Sequence, residues 1–164
     1  MSRVKMLIMD VDGTLTDGKL YISGSGEEMK AFNVKDGYAI KNILPSMGII
    51  PVIITGRKSK IVEIRAKELG ILEVHQGIEN KEETYIKLLD SYSCQDEDIA
   101  YMGDDINDIP ILKRAGISAC PWDASAAVKS VCSYVMSSKG GEGAVSEFIS
   151  HLHEEITGSK LGVL

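Results

Sequence analysis

Cysteine pairs, long apolar runs and an excess of basic charge are all missing from this sequence. The three cysteines, Cys94, Cys120 and Cys132, are odd in number and lack CxxC spacing, which excludes a disulfide framework and argues against a thiolate zinc site. They read as reduced, mostly buried thiols. The longest apolar runs, Met6–Met9 and Ile49–Ile54, fall far short of the roughly 20 residues that span a bilayer. Val4–Met9 also leads straight into acidic residues without a cleavage-like segment. We therefore expect no membrane partner and a cytoplasmic location. Lys plus Arg number 18 against 24 Asp plus Glu, a net charge of −6, and no basic block offers a track for a nucleic-acid backbone. Nucleic acid is not an expected partner. A small anion at a locally positive site remains compatible with an acidic chain.

What is present describes an ordinary globular protein. With 164 residues, 44% hydrophobic and 26% charged, the chain suits one domain that buries roughly 68–70% of its unfolded surface. Short apolar runs alternate with amphipathic stretches of helical length, the pattern of an α/β fold with helices on both faces of a parallel sheet. Strands are expected at Val4–Met9, Ile49–Ile54 and Ile99–Met102, with shorter ones at Val74–His75, Ile117–Ala119 and Tyr134–Met136. Helices are expected over Asp36–Met47, Ser59–Leu69, Lys81–Leu89, Asp108–Ala115, Ala124–Val131 and Ala144–His153. Gly48, Gly70 and Gly116 are suited to closing the helices before them. Lys19–Ser23 and Glu28–Phe32, joined by Gly24-Ser25-Gly26, break the alternation and read as a projecting β-hairpin. The expected organisation is one domain over residues 1–156, with a hairpin flap at about 18–33 and a mobile C-terminal tail over 157–164.

The chemistry concentrates at strand ends. The first strand runs into Asp10-Val11-Asp12-Gly13-Thr14, and alternation along an extended segment points Asp10 and Asp12 the same way, at the rim where open α/β sheets bind ligands. Two carboxylates on one rim repel by about 4 kcal/mol at ~4 Å and an effective dielectric near 20, so a cation between them or a proton on one is expected. A second acidic turn, Gly103-Asp104-Asp105-Ile106-Asn107-Asp108, follows the third main strand. Convergent carboxylates without His or Cys suit a hard cation with oxygen ligands, and Mg²⁺ above all. Either motif alone could be an Asp- and Gly-rich turn; two at strand ends favour a site. Thr55-Gly56-Arg57 ends the middle strand with groups that suit phosphate, although alone it reads as a capped turn with a solvated Arg. Lys81 opens a helix, where the macrodipole disfavours a cation, and this points to a specific role.

Asp10–Thr14, Thr55, Lys81 and Gly103–Asp108, in that chain order, resemble the four motifs of the haloacid dehalogenase-like phosphohydrolases. The resemblance covers nearly the whole chain. The hairpin, Phe32-Asn33-Val34-Lys35-Asp36-Gly37, Arg65-Ala66-Lys67-Glu68-Leu69 and Gly140-Gly141-Glu142-Gly143-Ala144 are similar to the capless subgroup that hydrolyses phosphorylated 2-keto-3-deoxy sugar acids. It implies a Rossmann-like sheet without a cap domain and a Mg²⁺-dependent phosphatase of lipopolysaccharide biosynthesis, with 3-deoxy-D-manno-octulosonate 8-phosphate as the expected substrate. A nine-carbon ulosonic acid 9-phosphate is the alternative substrate. A non-catalytic oligomerisation module associated with acylneuraminate cytidylyltransferase is an alternative role. The resemblance further implies Asp10 as nucleophile, Asp12 as general acid and base, and Thr55 and Lys81 as holders of the phosphoryl oxygens. Asp10, Asp104 and the Asp12 carbonyl would bind the metal, supported by Asp105 and Asp108. Substrate contacts would come from Asn33, Gly56, Arg57 and Arg65, the last across a subunit boundary. The subgroup forms homotetramers, so Leu20, Tyr21, Ile22, Met29 and Phe32 of the hairpin are expected interface residues. Gly140–Gly143 reads either as a hinge for a closing C-terminal segment or as an ordinary turn. Trp122 is expected to pack, and His75, His151 and His153 to be structural or solvated.

Overall fold

The fold is given by a computed structural model that describes residues 4–161. The strands are β1 (Met6–Met9), β2 (Tyr21–Ser23), β3 (Gly26–Met29), β4 (Ile50–Ile54), β5 (Glu73–His75), β6 (Ile99–Met102), β7 (Ile117–Cys120) and β8 (Tyr134–Val135). Six of them form one sheet in the order β5-β4-β1-β6-β7-β8, with every pairing parallel. β1 lies between β4 and β6, which puts both acidic turns and the Thr55 turn at neighbouring strand ends. All four β1 residues are fully buried: Leu7 and Met9 join the apolar cluster on one face, Met6 and Ile8 the cluster on the other. A continuous apolar run is what a strand covered on both faces requires.

The helices are α1 (Val34–Tyr38), α2 (Leu44–Ser46), α3 (Lys60–Leu69), α4 (Lys81–Tyr92), α5 (Ile109–Leu112), α6 (Ala126–Lys129) and α7 (Ala144–Thr157). The single helix expected over Asp36–Met47 is interrupted, because residues Ala39–Ile43 between α1 and α2 form a π turn in which the Leu44 N–H reaches back five residues to the Ala39 carbonyl. Pro45 has no N–H to return to Lys41 and its ring crowds that carbonyl, so the widened turn ahead of it takes up the misfit. α5 and α6 are shorter than expected. The segment Ile106–Asp108 before α5 is 3₁₀ rather than α, held by reciprocal capping between Asp105 and Asp108. α4 and α7 outrun their expected ends, and α7 continues to Thr157, where Gly158 at φ 72° closes it. The expected tail therefore begins with a helical residue, and its positions 162–164 lie outside the described residues, as do positions 1–3.

β2 and β3 form a two-stranded hairpin where one was expected, apart from the main sheet, but its second strand is Gly26–Met29 rather than Glu28–Phe32, because Ser23 pairs with Gly26 and the turn is only Gly24-Ser25. Tyr21, Ile22 and Met29 are exposed, while Phe32 just beyond the hairpin packs against the core. Trp122 departs from expectation: it is 54% exposed, with the Lys129 and Lys139 ammonium groups 4.7 and 5.9 Å from its ring centroid. Its backbone N–H is tied to the Ser138 carbonyl, which fixes the loop and leaves the indole outside.

Candidate active site

The end of β1 is a tight turn rather than a continued strand. The Val11 carbonyl accepts from the N–H groups of Thr14, Leu15 and Thr16, and this turn, not the expected alternation, brings Asp10 and Asp12 to one cavity. That cavity, about 200 Å³, is lined by Asp10, Asp12, Thr55, Gly56, Arg57, Lys81, Asp105 and Asn107. Four separated segments of sequence thus meet there. Gly13 is obligatory at its place: it sits at φ 90°, and a Cβ would lie 2.0 Å from an Asp104 carboxylate oxygen. Thr14 donates its hydroxyl to that same carboxylate at 2.9 Å, so the nucleophile turn and the second acidic turn hold each other.

Lys81 is buried at the first position of α4, whose N-terminus is capped by the Asn80 side chain. Its ammonium lies 3.0 Å from Asp10 and 2.8 Å from Asp108. Burial alone would depress Lys81, but the Asp10 and Asp108 charges reverse this and hold the ammonium above its ordinary range. Asp108, fully buried, uses both oxygens: Oδ1 receives Lys81 and the Tyr101 hydroxyl at 2.6 Å, and Oδ2 receives the N–H groups of Asp104 and Asp105. A Cβ on Gly103 would collide with Asp108 at 2.4 Å. Asp108 is therefore an orienting group, with no oxygen to spare.

Burial and the Asp108 charge raise Asp10 above the usual carboxylate range, against the opposing pull of Lys81. Burial, and then the charge of Asp10, push Asp104 up to about 8. Oxygens of Asp10, Asp104 and Asp108 all lie within 4.8 Å of one another. A divalent cation would remove the repulsion that raises these carboxyls, and the all-oxygen donor set fits a hard ion. With Asp108 committed elsewhere, Asp10 and Asp104 are the side chains free to hold it.

Of the residues expected to bind substrate, Gly56 and Arg57 line the cavity and Arg57 is exposed there. Asn33 and Arg65 stand outside it. Asn33 caps α1 at the Lys35 N–H and donates to the Gly141 carbonyl. Arg65 pairs with Glu68 at 2.9 Å and lies over the Phe32 ring, in a separate groove between α1 and α3. Within one chain these two organise structure around the site. The Gly140-Gly141 segment is a clasp: the Gly141 N–H binds the Thr14 carbonyl, Gly140 donates to Asp123, and a Cβ on Gly140 would lie 2.0 Å from the Gly13 carbonyl oxygen. Three contributors escaped the sequence reading. Thr14 stood within the first motif without a role, and Tyr101 sat in an apolar strand, where a buried phenol signals a polar partner. Lys30 was hidden in the hairpin: its fully buried ammonium lies 2.5 Å from Asp12.

A central parallel strand that delivers two aspartates, flanked by a buried lysine and a strand-end threonine, gives the protein the architecture of an α/β phosphohydrolase. A family model for haloacid dehalogenase-like hydrolases matches residues 53–149, and the chain belongs to that family. It is 44% identical over 146 residues to the 3-deoxy-D-manno-octulosonate 8-phosphate phosphatase of Yersinia pestis, covering 89% of this chain and 78% of that one. A 1.95 Å crystal structure of that phosphatase from Y. pestis superposes with a TM-score of 0.88 at 41% identity, over 97% of this chain and 87% of that one. The same phosphatase from Moraxella catarrhalis, solved with magnesium, phosphate and KDO, gives a TM-score of 0.90 at 36% identity, over 93% and 87%.

Proposed function

We propose that the protein is a Mg²⁺-dependent phosphatase that hydrolyses 3-deoxy-D-manno-octulosonate 8-phosphate through an aspartyl-phosphate on Asp10. The observation that carries this reading is the meeting of Asp10, Asp12, Thr55 and Lys81 on one cavity, in a chain whose 44%-identical relative bears that activity in its name. Asp10 and Asp104, with the Asp12 carbonyl, would hold the ion. When bound, it supplies charge neutralisation, so that an anionic phosphate can approach anionic Asp10.

The residues divide the work. An Asp10 oxygen attacks phosphorus as the ester oxygen departs, and Asp12 gives that oxygen its proton. Asp12, now a carboxylate, takes a proton from water as the water oxygen bonds to phosphorus and the Asp10 bond breaks. Phosphate leaves and Asp12 is again protonated. Thr55 and Lys81 hold the equatorial oxygens, where charge stabilisation supplies much of the barrier reduction. Asp108 and Tyr101 fix Lys81, and Asp105 caps the turn that carries Asp108.

Arg57 lines the cavity, and its planar fork suits the sugar-acid carboxylate. Measured phosphate release across a panel of phosphorylated sugar acids tests the reading directly. Arg57→Ala should raise KM for the sugar acid about tenfold to a hundredfold and leave a small phosphate lacking a carboxylate much less affected. Equal losses on both would remove Arg57 from substrate choice.

The exposed Tyr21, Ile22 and Met29 support a homotetramer assembled through the hairpins, in which Asn33 and Arg65 serve a neighbour's site. Residues 1–156 constitute the phosphatase domain in this reading, a boundary one residue short of the end of α7. No helix among the described residues is long and apolar enough to cross a membrane. The three unpaired thiols suit the reducing cytoplasm in which we place the protein.

A further inference from the structure

Lys30 has a place that no part of the phosphatase scheme uses. It is the first residue after β3, its side chain has no exposed surface, and its ammonium sits 2.5 Å from Asp12 Oδ1. Burying a lysine away from water is costly unless a paired charge compensates, so the fold spends stability to hold this cation against this carboxylate. Asp12 keeps 21% of its side chain exposed and lines the cavity. With Oδ1 tied to Lys30, Oδ2 is the oxygen turned to the leaving group and to the attacking water.

The segment that carries Lys30 is anchored at successive points. Lys30 holds Asp12, Phe32 packs into the core, and Asn33 binds the Gly141 carbonyl while capping α1. β2 and Met29 beyond it are exposed. Lys30 is thus the first buried side chain after the hairpin's second strand, and it ends on Asp12.

The geometry points to Lys30 as a positioning residue that fixes the proton-transfer oxygen of Asp12 and couples the hairpin to both half-reactions. This rests on the phosphatase reading above, in which Asp12 moves the proton. A sugar alkoxide needs that proton to leave; a p-nitrophenolate does not. Because kcat/KM reports steps up to aspartyl-phosphate formation, Lys30→Met should lower it about 10²-fold for the sugar phosphate, within the range of acid–base contributions. For p-nitrophenyl phosphate kcat/KM should stay within about threefold, while kcat falls because water attack still needs Asp12. Lys30→Arg should recover part of the loss. In an Asp12→Asn background, Lys30→Met should add less than about threefold on either substrate.

Equal losses of kcat/KM on the two substrates, unchanged kinetics, or a full further loss in the Asp12→Asn background would overturn the proposal. If Lys30→Met does not fold, Lys30→Gln keeps one donor and is read by the same criteria; failure of both to fold assigns Lys30 to the fold and overturns it as well. The native chain is the control: no phosphate release from either substrate overturns the phosphatase reading and this proposal together, whereas an active native chain with flat Lys30 kinetics overturns this proposal alone.

Discussion

Asp108 shows how much of the site depends on a residue that holds no substrate. Its two oxygens receive Lys81, Tyr101 and two backbone N–H groups. Asp108→Asn leaves Lys81 its second partner, Asp10 at 3.0 Å, but weakens buried hydrogen bonds to a charged group, each worth about 1.5–3 kcal/mol. It should destabilise the protein by about that much in denaturant unfolding, besides lowering kcat. Asp10 stands in contrast, because its neighbours raise it and its ionised form is held at a cost. Asp10→Asn should abolish both phosphate release and covalent phosphorylation, while denaturant unfolding shows little loss of stability. Radiolabelled phosphoenzyme trapping checks the first; more than a few per cent residual activity would reassign the nucleophile. The motif aspartates and Lys81 were legible in the sequence because each sits at a strand end or helix start. Lys30 and Tyr101 were not, since nothing local ties either to a carboxylate many residues away.

The contact between α1 and α7 carries a pH dependence of its own. Gly143 begins α7 without a side chain to cap it, and Asp36 of α1 does so from outside, accepting from the Ser146 N–H at 2.8 Å. Asp36 is buried with its second oxygen unpartnered, and burial pushes its carboxyl up to about 6. The folded form thus binds the proton more tightly than the unfolded chain, at about 3.9. The stability it contributes is complete below pH 3.9 and is lost as pH rises through 6, by at most about 3 kcal/mol. Unfolding free energies of the native chain and Asp36→Asn should diverge in that window, with the native chain losing ground to the variant as pH rises from 4 to 7. A constant difference would show that Asp36 does not titrate there. Among the elements, the interrupted helix over Ala39–Ile43 was not legible, because periodicity registers the apolar face but not the extra residue that Pro45 forces into the turn.

At the scale of the whole molecule, metal and assembly are the open levers. An ion that binds the folded site and not the unfolded chain stabilises by about 2.7 kcal/mol at a hundred times its dissociation constant, roughly 5–10 °C in Tm for a domain of this size. Mg²⁺ should raise the thermal midpoint of chelator-treated protein by that amount, and Asp104→Asn should erase the rise. The hairpin leaves Tyr21, Ile22 and Met29 exposed, and an isolated two-stranded ribbon is marginal in water. Light scattering should give the mass of a tetramer, and Ile22→Asp should shift it to smaller species with less activity. A fully active monomer would refute the shared site.

The sequence by itself determined the strand ends and the order of the motifs, because apolar periodicity and turn chemistry are local properties of the chain. It also marked the hairpin as separate from the alternating pattern. Tertiary structure decided the rest. The strand order puts β1 between β4 and β6 and so brings Asp10, Thr55 and Asp104 together, and the Val11 turn, rather than strand alternation, gathers Asp10 with Asp12. Asp108 became an orienting group because Lys81 and Tyr101, from other elements, fill one oxygen while the neighbouring Asp104 and Asp105 N–H groups fill the other. Glycines at 13 and 140 are required by packing between segments: a Cβ there would strike Asp104 or the Gly13 carbonyl, and no local pattern encodes it.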